Sequence, residues 1–123
     1  MDKPYTLHQL IQIIDSWRET EHINNSGDIV FQNEETFTNV KFGSNSLHEI
    51  QKHSRGFEQL AETIKEPDEI WMRWEDEVKQ KVVLRNYIRA GASCYIVQTR
   101  DGIIVDAFAV SRTNCDKYRK GLI

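Results

Sequence analysis

Cysteine and long hydrophobic runs are both scarce in this chain. The two cysteines, Cys94 and Cys115, match neither the ligand spacing of a zinc site nor a disulfide framework, so two free thiols are expected. The apolar stretch 105–110 is interrupted by Asp106 and is far shorter than a membrane span. The amino terminus lacks a basic flank followed by an apolar segment. Neither a membrane span nor a signal peptide is therefore predicted.

Proline and glycine are also few, with two and six among 123 residues, so the positions where they fall are informative. Asp101-Gly102 lies between two apolar runs, which is typical of a two-residue hairpin turn with positive φ. Ala90-Gly91 and the polar segment 76–78 mark two further turns. The segments between these turns leave no room for the crossover that parallel strands need. They predict an antiparallel meander with strands near 69–75, 80–89, 92–99 and 103–110.

Two capping boxes mark the starts of helices before the meander. The first is at Thr6, and the apolar residues that follow it at helical spacing predict a helix over 6–20. The second is at Ser46 and begins a helix that is expected to run over 46–64, weakened or bent by Gly56. Between the two helices, the sequence predicts a small hairpin from 28–31 and 36–42.

The expected fold class is α+β, with N-terminal helices packed beside a four-stranded antiparallel sheet. Apolar residues at 39% and charged residues at 28% fit one globular domain over 1–123. Its mainly helical part is 1–66, and 67–123 forms the sheet and a basic tail. Residues 1–78 carry a net charge of −9, and residues 79–123 carry +6. The overall acidity argues against non-specific nucleic-acid binding, but the basic half fits a local phosphate site.

Two histidines, His48 and His53, lie five residues apart on the second predicted helix. A helical zinc motif needs histidines four apart, because that spacing turns both side chains towards one metal. No metal or other cofactor is therefore expected. Helical phase places His53 near the centre of the apolar face and turns His48 away from it. A histidine there is either a core side chain or an acid–base group, and the flanking Lys52 and Arg55 favour the second.

Strand periodicity groups further candidate residues. Arg85, Tyr87 and Arg89 share one face of the second meander strand, either as a phosphate clamp or as a solvated, exposed face. Asp106 interrupts an apolar row in the last strand, and a buried carboxylate there needs a partner. An arginine on a neighbouring strand is the natural candidate. The basic and aromatic segment 116–121 is either a binding cluster or a solvated terminus.

Taken in order, these segments resemble the barnase–EndoU–colicin–RelE-like nuclease superfamily, in particular its phage-associated and contact-dependent-inhibition toxin branches. The resemblance implies a metal-independent ribonuclease that acts in the cytoplasm, including that of a target cell after delivery as part of a secreted toxin. Related sequences commonly have threonine where this chain has Asp106, which leaves the role of that position open. The matching segments, which lie within 46–123, are LHEIQKH, IKEPDEIW, RNYI, CYIVQT, IIVDAFAV and DKYRKGLI.

The expected reaction is cleavage of tRNA or another structured RNA, by attack of a 2′-hydroxyl on the adjacent phosphate. His53 is the expected acid–base group, and the resemblance carries the family's strand arginine and tyrosine onto Arg85 and Tyr87. Arg85 would hold the phosphate, and Tyr87 would either donate a hydrogen bond or stack on a base. Asp106 would orient either His53 or Arg85. The alternative is a catalytically inactive partner-binding protein, such as an immunity protein or a phage accessory protein; a toxin would instead have a cognate immunity protein. The residues expected to bind RNA are Lys52, Arg55, Arg89, Tyr118, Arg119 and Lys120.

Overall fold

The computed structural model describes residues 4–78 and 80–120. It has the predicted α+β class, with helices packed against a sheet that is larger than predicted. Among the described residues, no helix is long and apolar enough to cross a membrane. In chain order, the elements are α1 (Leu7–Thr20), β1 (His22–Ile23), β2 (Ile29–Asn33), β3 (Thr38–Phe42), α2 (Ser46–Ile50), a 3-10 helix (Gln51–His53), a second 3-10 helix (Phe57–Gln59), α3 (Leu60–Lys65), β4 (Glu69–Glu77), β5 (Gln80–Ala90), β6 (Cys94–Arg100), β7 (Ile103–Val110) and a C-terminal 3-10 helix (Arg112–Tyr118).

The sheet has seven strands in the order β1-β2-β3-β7-β6-β5-β4. Strands β4 to β7 form the predicted antiparallel meander. The prediction of only four strands is wrong, because the predicted hairpin, β2–β3, joins the outer edge of β7. The join is parallel: Lys41 lies opposite Ile103, and the Lys41 N–H donates to the Gly102 carbonyl at 2.7 Å. The hairpin thereby supplies hydrogen-bond partners for the backbone at the start of β7, which would otherwise be an exposed edge strand.

The turn between β6 and β7 has the conformation that Asp-Gly predicts. Asp101 and Gly102 have φ values of 50° and 78°, and Asp101 Oδ1 also accepts from the Val83 N–H at 2.9 Å. A Cβ at Gly102 would lie 3.1 Å from the Asn39 carbonyl oxygen of β3. Glycine therefore serves the turn and the close approach of β3 at the same position.

The second predicted helix is not continuous, so the prediction of one helix over 46–64 is wrong. Gly56 adopts the left-handed conformation, with φ of 80°, and divides the segment into α2 with its 3-10 extension and the 3-10 helix that leads into α3. A Cβ at this position would lie 3.3 Å from Cε1 of Tyr95. The break lets α2 follow β7, where the Ser46 hydroxyl donates to the Ile104 carbonyl at 2.7 Å. Because of the break, the first part of the segment ends with the 3-10 helix Gln51–His53.

The helices cover one face of the sheet, called here the helix face, as the sequence predicts. Trp17 of α1 lies at the centre of this layer and is 6% exposed. Its ring contacts those of Phe31 and Phe42 on the hairpin at centroid distances of 5.3 and 5.6 Å, and that of Phe57 at 4.9 Å. One tryptophan therefore joins α1, the hairpin and the segment that leads into α3.

The opposite face, called here the tail face, is partly covered by the C-terminal 3-10 helix. Cys115 of this helix is buried with Cys94, Ile88 and Ile96 in a second apolar cluster. Both cysteines are free thiols, as the sequence predicts. The pKa of the Cys115 thiol is raised to about 12, mainly by burial and to a smaller extent by a hydrogen bond with Cys94. The segment predicted as a basic tail thus also has a structural part.

Candidate active site

His53 and Asp106 form a hydrogen-bonded pair beside β7. His53 ends the 3-10 helix after α2, and its Nε2 lies 2.7 Å from Oδ1 of Asp106 on β7. The same carboxylate oxygen accepts from the Ala107 N–H at 2.9 Å. The imidazole also meets the Phe108 ring edge to face, at a centroid distance of 5.6 Å. With its side chain 42% exposed, His53 is held in place yet open to solvent.

The partner of Asp106 is a histidine rather than the arginine expected from a neighbouring strand. The reason is local: α2 packs along β7, and the 3-10 helix that follows α2 ends at His53, beside Asp106. Since Asp106 accepts from Nε2, the Nδ1 nitrogen of the neutral ring carries the lone pair. A carboxylate that fixes one nitrogen and leaves the other available is the arrangement of a general base.

A polar row crosses the tail face at the level of this pair. Asn86 lies opposite Gln98, and Gln98 lies opposite Asp106, on the adjacent strands β5, β6 and β7. Trp71 of β4 lies opposite Asn86 and extends the row. Residues directly opposite each other point to the same face of a sheet. The row therefore runs from Trp71 to Asp106, with His53 at its end.

A β-bulge at Val105 determines which face Asp106 occupies. From the turn, Arg100 pairs with Ile103 and Thr99 with Ile104, but Gln98 pairs with Asp106, so Val105 is an extra residue. Uninterrupted pairing would place Asp106 opposite Val97, on the helix face. The bulge shifts it by one position, and a shift of one residue exchanges the two faces of a strand.

Arg85, Tyr87 and Arg89 lie on the helix face, so the structure does not bring them together with His53 and Asp106. Tyr87 lies opposite Val97, and both are buried in the core between the sheet and the helices. Tyr87 is fully buried, its hydroxyl is 3.4 Å from that of Thr38, and burial raises its pKa. Arg89 lies 3.4 Å from Glu62 and donates to the Glu66 carbonyl at 3.1 Å. The predicted common cleft for His53, Arg85 and Tyr87 is therefore wrong.

Two of the predicted RNA-binding residues lie beside His53. Lys52 and Arg55 line an open cavity of about 460 Å³ together with His53, Ser93 and Ser111. Lys52 also lies 3.5 Å from Glu49, with both side chains at least half exposed. A pair this exposed is weak, so Lys52 can exchange its partner for another anion. Positive charge is thus available in the cavity that the imidazole lines.

Two of the predicted tail residues, Tyr118 and Arg119, make contacts within the protein, whereas Lys120 is exposed. Tyr118 packs on Phe108 at a centroid distance of 5.0 Å. Arg119 donates from Nε and Nη2 to the Glu69 carboxylate, at 2.8 Å each, and from Nη1 to Asp116 at 2.6 Å. Its hydrogen bonds lower the pKa of Glu69. Gly121, the last residue of the predicted basic and aromatic segment, lies outside the described residues.

Lys120 lies at a groove on the tail face, called here the sheet groove, that continues from the polar row. The groove has a volume of about 110 Å³ and is lined by Trp71, Arg73, Asn86, Gln98 and Lys120, among others. Sequence reasoning missed Asn86 and Gln98. Each of these two residues is a polar residue among apolar ones on the same face of its strand, and this could have been noticed in the sequence. Their alignment with Asp106 could not, because it depends on the bulge at Val105.

The fold and this site define an α+β protein with a histidine–carboxylate pair on its sheet. The chain belongs to the phage-Barnase-EndoU-ColicinE5/D-RelE like nuclease2 family, whose model matches residues 7–123. This confirms the resemblance found in the sequence and indicates a nuclease of the barnase, EndoU, colicin and RelE type. Searches of curated proteins and of solved structures gave no match.

Proposed function

We propose that this protein is an endoribonuclease that cleaves tRNA or another structured RNA without a metal ion. The observation that carries the proposal is the pair of His53 and Asp106, 2.7 Å apart, in a member of a nuclease family. An RNA 2′-hydroxyl can act as an internal nucleophile on the adjacent phosphate. The reaction then needs proton transfer and stabilisation of charge on the phosphoryl oxygens, which side chains can supply.

His53 is the general base of the proposed reaction. Its Nδ1 takes the proton of the 2′-hydroxyl, and the oxygen attacks phosphorus as the bond to the 5′-oxygen breaks. The 5′-oxygen leaves with a proton from solvent, giving a 2′,3′-cyclic phosphate and a free 5′-hydroxyl. Asp106 holds the ring through Nε2 and stabilises the imidazolium that forms. Asp106 therefore acts through His53, as a positioning residue.

Lys52 and Arg55 supply positive charge for the phosphate in this proposal. Both line the open cavity that His53 shares. Cationic groups placed where charge develops usually make one of the largest contributions to such a reaction. The phosphate and base contacts expected of Arg85 and Tyr87 are not part of this proposal, because these two residues lie on the helix face and Asp106 lies on the tail face.

Purified protein incubated with mixed tRNA tests the proposal. We expect cleavage that persists in EDTA. The new 5′ ends should accept phosphate from polynucleotide kinase without prior dephosphorylation, and the new 3′ ends should resist periodate because both hydroxyls are in the cyclic phosphate. An oligonucleotide with 2′-deoxyribose throughout is the control, since it lacks the nucleophile. Cleavage of this DNA at the rate of RNA, or loss of activity in EDTA, would contradict the mechanism.

A second candidate, a catalytically inactive protein that binds a basic partner, is favoured by one feature of the acidic half. Glu21, Glu34, Glu35 and Glu66 line an open depression of about 590 Å³, together with Lys65, which pairs with Glu21 at 2.8 Å and leaves the lining net acidic. A depression with this charge fits a basic protein rather than a nucleic acid. The two candidates therefore differ in the ligand that they predict.

Salt dependence of RNA binding distinguishes these candidates. Because each neutralised phosphate releases counterions, the logarithm of affinity for single-stranded RNA should fall linearly with the logarithm of salt concentration. Lys120→Ala should reduce the slope by about 0.7. Lys41→Ala is the matched control, since Lys41 pairs with Asp28 at 2.8 Å on the hairpin. RNA binding that does not change with salt would favour the partner-binding protein.

A further inference from the structure

The sheet groove is linked to the candidate active site through the polar row, because Gln98 lines the groove and lies opposite Asp106. Trp71, Asn86, Gln98 and Asp106 lie side by side on four adjacent strands. Adjacent strands are about 4.8 Å apart, so the row spans roughly 14 Å. His53 meets the row at Asp106. A chain bound at His53 can therefore place its neighbouring groups along the row.

Gln98 is the member of this row with unused hydrogen-bonding capacity. Asn86 donates from Nδ2 to the Tyr118 carbonyl at 2.9 Å, and Trp71 donates from Nε1 to Glu69 at 2.9 Å. Within the described residues, the half-buried amide of Gln98 makes no side-chain hydrogen bond. An amide offers a donor and an acceptor side by side. This is the pattern that matches the Watson–Crick edge of a base.

The size and surroundings of the groove restrict its ligand. The groove, at about 110 Å³, is the smallest of the cavities described in this structure, which favours one flat ring system over a base pair. Trp71 provides an aromatic surface at one end, and stacking on such surfaces tolerates any base. Arg73 and Lys120 line the same groove and carry the charge that attracts a phosphate backbone.

We propose that the sheet groove binds one unpaired nucleobase beside the scissile phosphate, and that the Gln98 amide distinguishes between bases. The inference rests on the proposed function in taking RNA as the ligand. It narrows the substrate to single-stranded or looped segments, because in a duplex the edge that Gln98 needs is already paired. Gln98 is a specificity-determining residue, separate from the acid–base pair.

Fluorescence anisotropy with uncleavable RNA tests this. The probes are 2′-O-methyl 8-mers of adenosine, cytidine, guanosine and uridine, and one mixed-sequence duplex. The wild-type protein should prefer one base over the others by about 5- to 150-fold, the range of one good bidentate contact. It should also bind the duplex more weakly than the preferred single strand. Equal affinity for the four single strands would overturn the inference.

Two variants of Gln98 make the test specific. Gln98→Met keeps the length of the side chain without its hydrogen bonds and should bring the four affinities within about threefold of one another. Gln98→Glu replaces the donor by an acceptor and should change which base is preferred. Gln12→Met, at an exposed position on α1, should leave the preference unchanged. Retention of the wild-type preference by both Gln98 variants would overturn the assignment.

Cleavage separates this inference from the proposed function. Base-preferential binding without cleavage of any RNA would support the groove and overturn the nuclease. Cleavage at every sequence with equal rate, together with equal binding, would support the nuclease and overturn the groove. His53→Ala should retain the base preference, because the imidazole lies outside the groove.

Discussion

His53→Ala is expected to lower the rate of RNA cleavage by about 10²–10⁴-fold while the protein stays folded. The imidazole is the acid–base group of the proposed reaction and is 42% exposed, so its removal leaves little buried space. The measurement is a single-turnover cleavage rate on tRNA, with thermal unfolding as the check on folding. Growth arrest on expression, if the wild-type protein causes it, should disappear with this variant.

His48→Ala provides the matched control, because His48 is exposed on α2 and lies five residues before His53. Its rate should stay within about twofold of the wild type, as for a surface change away from the site. Asp106→Asn should give an intermediate loss: it retains an oxygen at the position but removes the charge that stabilises the imidazolium. Wild-type activity in His53→Ala would show that the assignment of the base is wrong.

Trp17→Ala should reduce the free energy of unfolding by about 3–5 kcal/mol. The indole is 6% exposed and contacts three aromatic rings, two on the hairpin and one in the segment before α3. Its removal leaves a cavity between α1, the hairpin and the segment before α3. Urea unfolding followed by circular dichroism measures the change.

Trp74→Ala is the control for this variant. Trp74 lies on β4 and is 50% exposed, so we expect its loss to change the free energy of unfolding by about 0.5 kcal/mol. A decrease for Trp17→Ala no larger than that for Trp74→Ala would show that α1 does not pack on the hairpin as described.

Local patterns in the sequence were sufficient for most elements of the fold. The capping box at Thr6, the Asp101-Gly102 turn and the lengths of the apolar segments predict α1, the hairpin and the four meander strands. The break of the second helix could not be foreseen in full, because the position of Gly56 against Tyr95 decides it. The parallel join of β3 to β7 is a long-range pairing, and local patterns do not encode its partner.

The candidate site was predictable residue by residue but not as an arrangement. The flanking basic residues single out His53, and the interruption of an apolar row identifies Asp106. The helical phase given to His53 is wrong, because the predicted helix breaks at Gly56 and the side chain is 42% exposed rather than centred on an apolar face. Their pairing depends on the bulge at Val105, which moves Asp106 away from Arg85 and Tyr87. Nothing in the composition of 103–110 marks a bulge, so counting from the turn gives the wrong face.

The junction between the hairpin and the meander contains one parallel residue pair, Lys41 with Ile103. The hairpin is thus attached mainly by the side chains around Trp17 rather than by a long ladder of backbone hydrogen bonds. Asp106 and the strands of the sheet groove lie on the meander side of that junction, and His53 lies on the 3-10 helix that follows α2. The buried side chains of β2 and β3 are fixed by their place in the core, but the turn that joins the two strands, 34–37, is exposed. Over evolutionary time, insertions and replacements in that turn can accumulate without displacing the pair, so we expect it to be the part of the hairpin in which family members diverge most freely.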